Sequence, residues 1–237
     1  MMSALMIYGI VLTVFLAAAT HFLDRGLRSL GRPTRWVWAL GMAASVGVVL
    51  ETAAWDAAPS EAAPARAVPV DVLYDLLAWG PVLDPAVPTP PETMDGPLTL
   101  LWLLSSLSLL AATLWAARRL HLARRRWKKQ RVGAWEVLVS EGLGPAVLGL
   151  LRPVIVVPPW VLELSPEKQE MILLHEIEHQ GARDPALLVL GLTMVAFMPW
   201  NPALWWMGRR LHLAVEGDCD ARVLARGVPA RRYGSLL

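Results

Sequence analysis

Three long apolar runs dominate the first half of the chain. They cover residues 3–23, 36–55 and 98–117, and Glu51 is the one formal charge within them. Each run has about 20 residues, the length that an α-helix needs to cross the hydrocarbon core of a bilayer. The pattern therefore predicts three transmembrane helices. A cleavable signal peptide is the alternative for the first run, which has small residues at 17–19. The absence of a basic segment before the run favours a retained helix.

The loops between these runs differ sharply in charge. Residues 24–35 carry four arginines against one acid, and residues 118–131 carry eight lysines or arginines and no acid. Residues 56–96 hold seven acids and one arginine. Basic loops remain in the cytoplasm. The chain is therefore expected to cross a membrane with 24–35 and 118–131 in the cytoplasm and 56–96 as an extracytoplasmic loop, in which 70–80 suits a short interfacial helix.

The basic segment 118–131 has two interpretations. A nucleic-acid patch is one, but a basic run directly after a membrane span is typically a topology anchor that attracts anionic lipid. We therefore expect membrane lipid as a partner and no direct nucleic-acid contact. Composition agrees, because 55 % of residues are hydrophobic and only 18 % are charged, whereas soluble domains have about a quarter charged. The single cysteine excludes an intramolecular disulfide.

The pattern changes after residue 131. Short β-leaning runs at 135–140, 145–151 and 153–159, separated by Gly and Pro, predict a small antiparallel sheet or hairpins. We therefore divide the chain into a transmembrane region, 1–131, and a cytoplasmic domain, 132–237. The fold class expected is a mainly α membrane protein with an α+β domain.

A helix is predicted from Ser165 to about Arg183. Ser-Pro-Glu at 165–167 is typical of a helix start, and Pro185 ends the helix. His175 and His179 lie four residues apart on one face, where both imidazoles can bind one metal ion. Glu176, in the HExxH spacing, can act as the base of a metallopeptidase. Glu178 points elsewhere and is expected to be a bystander.

A catalytic zinc site usually has three protein ligands and an open position for water. A second predicted helix, 211–227, offers the third. Its spacing leaves Glu216, Asp218 and Asp220 open as candidates, with His212 one turn before Glu216.

The stretches GLLRPVIVVPPWV, HEIEHQGARDP, NPALWWMGRR and EGDCDARVL together resemble the BlaR/MecR-type antirepressor family of integral-membrane zinc metallopeptidases. The resemblance covers about residues 130–237 and implies a gluzincin fold, with Zn²⁺ on His175, His179 and Glu216 and catalysis by Glu176. It also implies that Asp220 is an outer partner that orients a ligand histidine. Cys219 is expected to be a packed residue, since a fourth protein ligand would exclude water.

Residues 186–208 carry no charge and are long enough to span. A straight fourth span would separate Glu216 from His175, whereas a zinc bond of about 2 Å requires them together. The helix-breaking PWNP at 199–202 instead predicts a helical hairpin, buried shallowly in the inner leaflet, that returns Glu216 to the cytoplasmic side.

The resemblance implies a protein of the bacterial cytoplasmic (inner) membrane that hydrolyses a cytoplasmic repressor of transcription and also cleaves itself. Val147, Leu148 and Gly149 are the expected strand that pairs with substrate. His212, Arg183 and Tyr233 are candidates to stabilise the oxyanion. The sequence does not predict an oligomeric state.

Two alternatives stay open at this point, and a third motif is set aside. One is a quality-control or processing peptidase like HtpX or the CAAX prenyl proteases. Another is a non-catalytic membrane scaffold with a structural metal site. The S-x-x-K match at 165–168 would suggest a serine nucleophile, but no K-T-G follows. Because RRYGSLL resembles a helix start, the chain is expected to be either a short form or part of a longer protein.

Overall fold

The structure, a computed structural model, describes residues 2–56 and 94–234. The predicted extracytoplasmic loop at 56–96, with its interfacial helix at 70–80, falls almost entirely outside the described residues. The helices are α1 (Met2–Ser29), α2 (Arg35–Asp56), α3 (Asp95–Arg124), α4 (Pro159–Leu162), α5 (Pro166–Ala182), α6 (Asp184–Phe197), α7 (Pro202–Ala225) and α8 (Ala230–Gly234). The strands are β1 (Lys128–Val132), β2 (Trp135–Val139), β3 (Ala146–Leu148) and β4 (Val154–Val157).

The three predicted spans are confirmed as helices long and apolar enough to cross a membrane. In an apolar 18-residue stretch of α3 no residue is buried, and in the corresponding stretch of α1 only 22 % of the residues are buried. Exposure of so much apolar surface on a single helix is unfavourable in water. The chain is therefore a membrane protein, and the exposed apolar side chains of α1 to α3 suit contact with lipid.

The sheet is mixed, so the prediction of an antiparallel sheet is wrong. Its strand order is β1-β2-β4-β3. The outer pairs are antiparallel, but β2 and β4 run parallel, with Leu138 opposite Val156. Strand direction depends on how the chain between β2 and β4 crosses the sheet, and the alternation of apolar residues carries no information on that crossing. One consequence is that β3 forms an edge of the sheet.

Helix α5 packs against one face of this sheet. Ile172 and Leu173 join Val137, Val157 and others in one buried apolar cluster. Pro166 occupies the first turn, as predicted, but the Ser165 side chain makes no capping hydrogen bond. The cluster fixes α5 against the sheet, and the two histidines, on an adjoining face of α5, lie beside Glu216 of α7.

The segment 186–208 is a helix, a turn and a second helix, as predicted, and not a straight span. Helix α6 ends at Phe197 and α7 begins at Pro202. The two helices lie side by side, so close together that a Cβ on Gly191 would be only 2.8 Å from the Leu211 side chain. The glycine therefore permits the close approach, and the return brings α7 back beside α5.

The contacts of the hairpin turn show how far it extends along α2. Around the turn, a Cβ on Gly9 would meet Trp200 at 2.9 Å and Val49 at 3.3 Å. Val49 is 14 residues beyond Arg35 at the start of α2, which corresponds to about 21 Å of helix. The hairpin therefore follows α2 from its first residue to Val49, and its shallow position in the inner leaflet stays a prediction.

Asn201 fastens the turn of the hairpin to α1. Its side-chain oxygen accepts from the backbone N–H groups of Ala203 and Leu204 at 3.1 and 3.3 Å. Its side-chain nitrogen donates to Thr13 Oγ1 at 2.9 Å and to the Gly9 carbonyl at 3.3 Å. The side chain is fully buried, so these bonds satisfy a polar group that would otherwise be costly in an apolar environment.

We predict that Asn201→Ala lowers the free energy of unfolding by about 2 kcal/mol, since it removes a helix cap and leaves buried groups unpaired. Unfolding of the purified protein in detergent micelles measures this. Thr193→Ala is the control, because Thr193 is exposed and its hydroxyl bonds to the Val189 carbonyl within α6. Equal stability of the two variants would contradict the prediction.

Candidate active site

The two histidines of α5 direct one ring nitrogen each toward the same point. His175 Nε2 and His179 Nε2 lie 3.0 Å apart. Their side chains are only 16 % and 11 % exposed. The four-residue spacing produces this arrangement, because it places both rings on one face of the helix one turn apart.

Glu216, on α7, completes a triangle of donor atoms. Its Oε2 lies 3.6 Å from His175 Nε2 and 3.5 Å from His179 Nε2. The hairpin is responsible, because it returns α7 alongside α5. Beside the two histidines, the pKa of Glu216 falls well below its usual range, so the carboxylate is ionised.

Tyr233 and Asp220 hold the other nitrogen of His175. The Tyr233 hydroxyl lies 2.6 Å from His175 Nδ1 and donates to Asp220 Oδ1 at 2.7 Å. Burial, and the Asp220 carboxylate, raise the pKa of Tyr233 above its usual value, so the hydroxyl keeps its proton. Because that proton goes to Asp220, the Nδ1–H of His175 must donate to the Tyr233 oxygen, which leaves Nε2 with a lone pair.

Asp184 holds the Nδ1 nitrogen of His179 in the same way. Asp184 Oδ2 accepts from His179 Nδ1 at 2.8 Å, and the carboxylate is almost fully buried. Arg183, between the helices, adopts a left-handed conformation with φ of 55°. This conformation is uncommon outside glycine, and it separates α5 from α6 so that Asp184 lies against the imidazole.

Two nitrogen lone pairs that face each other at 3.0 Å require a positive charge between them. The pKa values show the same requirement. Burial opposes a charge on His175, but Cys219 and Glu216 outweigh it and raise its pKa to about 10. Burial likewise opposes a charge on His179, but Asp184, Cys219 and Glu216 raise its pKa to about 12. A proton or a metal ion can provide this charge.

Cys219 belongs to the same group. His175, His179 and Cys219 form a candidate metal-binding group, with ligand atoms all within 4.8 Å of one another. The buried Cys219 Sγ lies 3.6 Å from His175 Nδ1 and donates to the His175 carbonyl oxygen at 3.4 Å. These two contacts are on the Nδ1 side of His175, whereas Glu216 contacts the Nε2 side.

Glu176 lies next to the histidines in a cleft of about 220 Å³. Burial raises its pKa, although the neighbouring histidines act in the opposite direction. Ala146 and Val147 of the edge strand β3 line the same cleft, whereas Gly149 follows β3 with φ of 109°. The cleft thus brings together a buried carboxyl group, two candidate metal-binding histidines and a strand edge.

The remaining candidates lie away from this cleft. His212 and Arg183 are exposed. The Tyr233 hydroxyl contacts His175 on the Nδ1 side, so its use as an oxyanion donor stays a prediction. Asp218 accepts hydrogen bonds from the backbone of Thr34 and Arg35. Glu178 forms ion pairs with Arg222 and Arg226.

Comparison with known proteins shows the family to which the chain belongs. A family model described as BlaR1 peptidase M56 matches residues 88–237, more than half of the chain. The chain belongs to the BlaR1 peptidase family. It is also similar to Regulatory protein BlaR1 of Bacillus licheniformis, with 30 % identity over 81 residues. That alignment covers 34 % of this chain and 13 % of the relative, so the chain spans a small part of the relative's length.

The family match confirms the resemblance found in the sequence and makes the chain a member of a peptidase family. Sequence reasoning missed Asp184 and assigned the orientation of a ligand histidine to Asp220 alone. Asp220 Oδ1 does lie 3.5 Å from His175 Nδ1, but the Tyr233 hydroxyl makes the shorter contact. The signal for Asp184 was its place five residues after His179, just before Pro185.

We predict that Tyr233→Phe lowers metal affinity by about 10-fold, because outer partners of a ligand histidine typically contribute this much. Competition of the purified protein with a chelator of known zinc affinity measures the change. Tyr8→Phe is the matched control, since Tyr8 is exposed on α1. An unchanged dissociation constant for Tyr233→Phe would show that the hydroxyl does not orient His175.

Proposed function

We propose that the chain is a zinc metallopeptidase with a gluzincin-type site, in which His175, His179 and Glu216 hold Zn²⁺. The observation that carries the proposal is the triangle of donor atoms, with sides of 3.0, 3.5 and 3.6 Å. Ligands of a tetrahedral zinc ion with bonds of 2.0–2.1 Å lie about 3.3 Å apart. Two imidazoles and a carboxylate are also the donors that catalytic zinc sites use.

The residues around this site suit peptide hydrolysis. Bound zinc lowers the pKa of a coordinated water and polarises a carbonyl oxygen. Glu176, buried beside the histidines, accepts the proton of the attacking water and passes it to the leaving amine. The edge strand β3 binds an extended substrate by strand addition, with Val147, Leu148 and Gly149 along the pairing edge.

The charge of the loops supports a cytoplasmic site. The arginines of 24–35 include Arg35, which contacts Asp184, and the basic residues of 118–131 lead into the sheet that packs against α5. Basic loops remain in the cytoplasm. We therefore assign the substrate to the cytoplasm: a repressor of transcription, with the chain itself as a further substrate. In this assignment the protein acts in signal transduction at the bacterial inner membrane by regulated proteolysis.

We predict that Glu176→Gln reduces cleavage by about 10²–10⁴-fold and leaves zinc content unchanged, because it removes a proton acceptor and no ligand. The substrates for the assay are the full-length chain itself, a repressor encoded next to its gene, and labelled casein, with products identified by mass spectrometry. Glu178→Gln is the matched control, since Glu178 pairs with arginines outside the cleft.

Zinc bound by both proteins, with no cleavage that depends on Glu176, would instead favour a non-catalytic scaffold.

The third ligand has a separate test. We predict that Glu216→Gln weakens zinc binding by more than about 100-fold, beyond the typical effect of an outer partner. Cys219→Ala is expected to leave zinc affinity within about threefold of wild type, because Cys219 contacts the Nδ1 side of His175. Chelator competition measures both. A larger loss of zinc affinity in Cys219→Ala than in Glu216→Gln would instead make Cys219 the third ligand.

A further inference from the structure

Arg35 reaches from the first position of α2 into the surroundings of the metal-binding group. Its Nη1 lies 2.6 Å from Asp184 Oδ1, and the side chains are 13 % and 1 % exposed. A charge-assisted bond of this length between buried partners fixes the direction of the carboxylate. A helix that the sequence assigns to the membrane therefore determines how Asp184 is held.

The two oxygens of Asp184 have different partners. Oδ1 faces Arg35, while Oδ2 accepts from His179 Nδ1 at 2.8 Å and from Arg222 Nη2 at 2.9 Å. Rotation of the carboxylate would misalign the bond to His179. The orientation of a ligand imidazole depends on such an outer partner, so Arg35 influences the His179 ring although the two side chains do not touch.

The backbone at the start of α2 is fixed at the same place. The N–H groups of Thr34 and Arg35 donate to the Asp218 carboxylate at 2.9–3.0 Å. Asp218 follows Glu216 by two residues on α7. The beginning of α2 is thus attached both to the partner of His179 and to the helix that carries Glu216.

Arg222 cannot take over this connection. It contacts the same Asp184 oxygen as His179, and its Nε also lies 3.3 Å from Glu178 Oε2. Because Arg222 belongs to α7, it joins Asp184 to the helix of Glu216 and not to α2. Among the described residues, the side chain that α2 contributes to Asp184 is Arg35.

We propose that Arg35 is a positioning residue for His179, acting through Asp184, so that the first turn of α2 is part of the metal site. The inference rests on the proposed function, because it requires His179 to be a metal ligand. The inference adds that the metal site is complete only while the first turn of α2 stays packed against α6 and α7. A shift of α2 along or away from these helices would loosen one ligand of the ion.

The test compares Arg35→Gln and Arg35→Lys in the full chain, each with and without Asp184→Asn. Zinc affinity is measured by chelator competition, and the absorption spectrum of the Co²⁺-loaded protein reports the ligand geometry. Arg32→Gln is the matched control, since Arg32 is exposed in the same loop. Thermal unfolding of the metal-free proteins separates loss of affinity from loss of stability.

We expect Arg35→Gln to weaken zinc binding by about 10-fold and to alter the Co²⁺ spectrum. Arg35→Lys keeps the charge without the planar guanidinium, so a loss of about threefold is expected. Arg32→Gln is expected to bind like wild type. Within the Asp184→Asn background, Arg35→Gln should cause no further loss, because residues that act through one another are not additive.

Wild-type affinity for Arg35→Gln, or an equal loss in both backgrounds, would overturn the inference. Should Arg35→Gln fail to fold, Arg35→Lys decides the question: a wild-type affinity and Co²⁺ spectrum would overturn it. A wild-type chain that binds neither Zn²⁺ nor Co²⁺ contradicts the proposed function itself. Wild-type metal binding that is insensitive to Arg35 contradicts only this inference.

Discussion

The buried carboxylate of Asp184 contacts three separate elements of the molecule. It accepts from His179 of α5, from Arg35 of α2 and from Arg222 of α7. A buried charge is tolerated only when its partners are in place, and removal of one partner from such a network typically costs about 3–5 kcal/mol. The relative positions of α2, α5 and α7 are therefore constrained by one side chain, and the geometry of the metal-binding group depends on all three helices.

The hydrogen-bond network around the rings explains why the site favours a cation. Each Nδ1 atom has an oxygen partner, Tyr233 for His175 and Asp184 for His179. These partners direct both Nε2 lone pairs inward, beside the ionised Glu216. The electrostatics of the site thus depend on groups beyond the two imidazoles, namely Tyr233, Asp184 and Glu216. Similar HExxH sequences without such partners would lack this preorganisation.

The sequence was most informative where the signal was local. Apolar length predicted the three spans, the spacing of His175 and His179 predicted their shared face, and PWNP predicted the turn before α7. Features that depend on distant chain segments could not be predicted. The parallel pairing of β2 with β4 is set by a crossover, and the position of the hairpin along α1 and α2 is set by packing against them. The contact of Arg35 with Asp184 joins residues 149 positions apart, and no periodicity reveals it.

The bonds of Asn201 also impose an order on assembly. Its amide reaches Gly9 and Thr13 in α1, about 190 residues earlier in the chain. An asparagine that enters an apolar phase without these acceptors meets a large desolvation penalty. The α6–α7 hairpin therefore gains its stable position only after α1 is already inserted. Synthesis from the N-terminus provides α1 first, so the membrane helices serve as the template on which the C-terminal half of the chain is built.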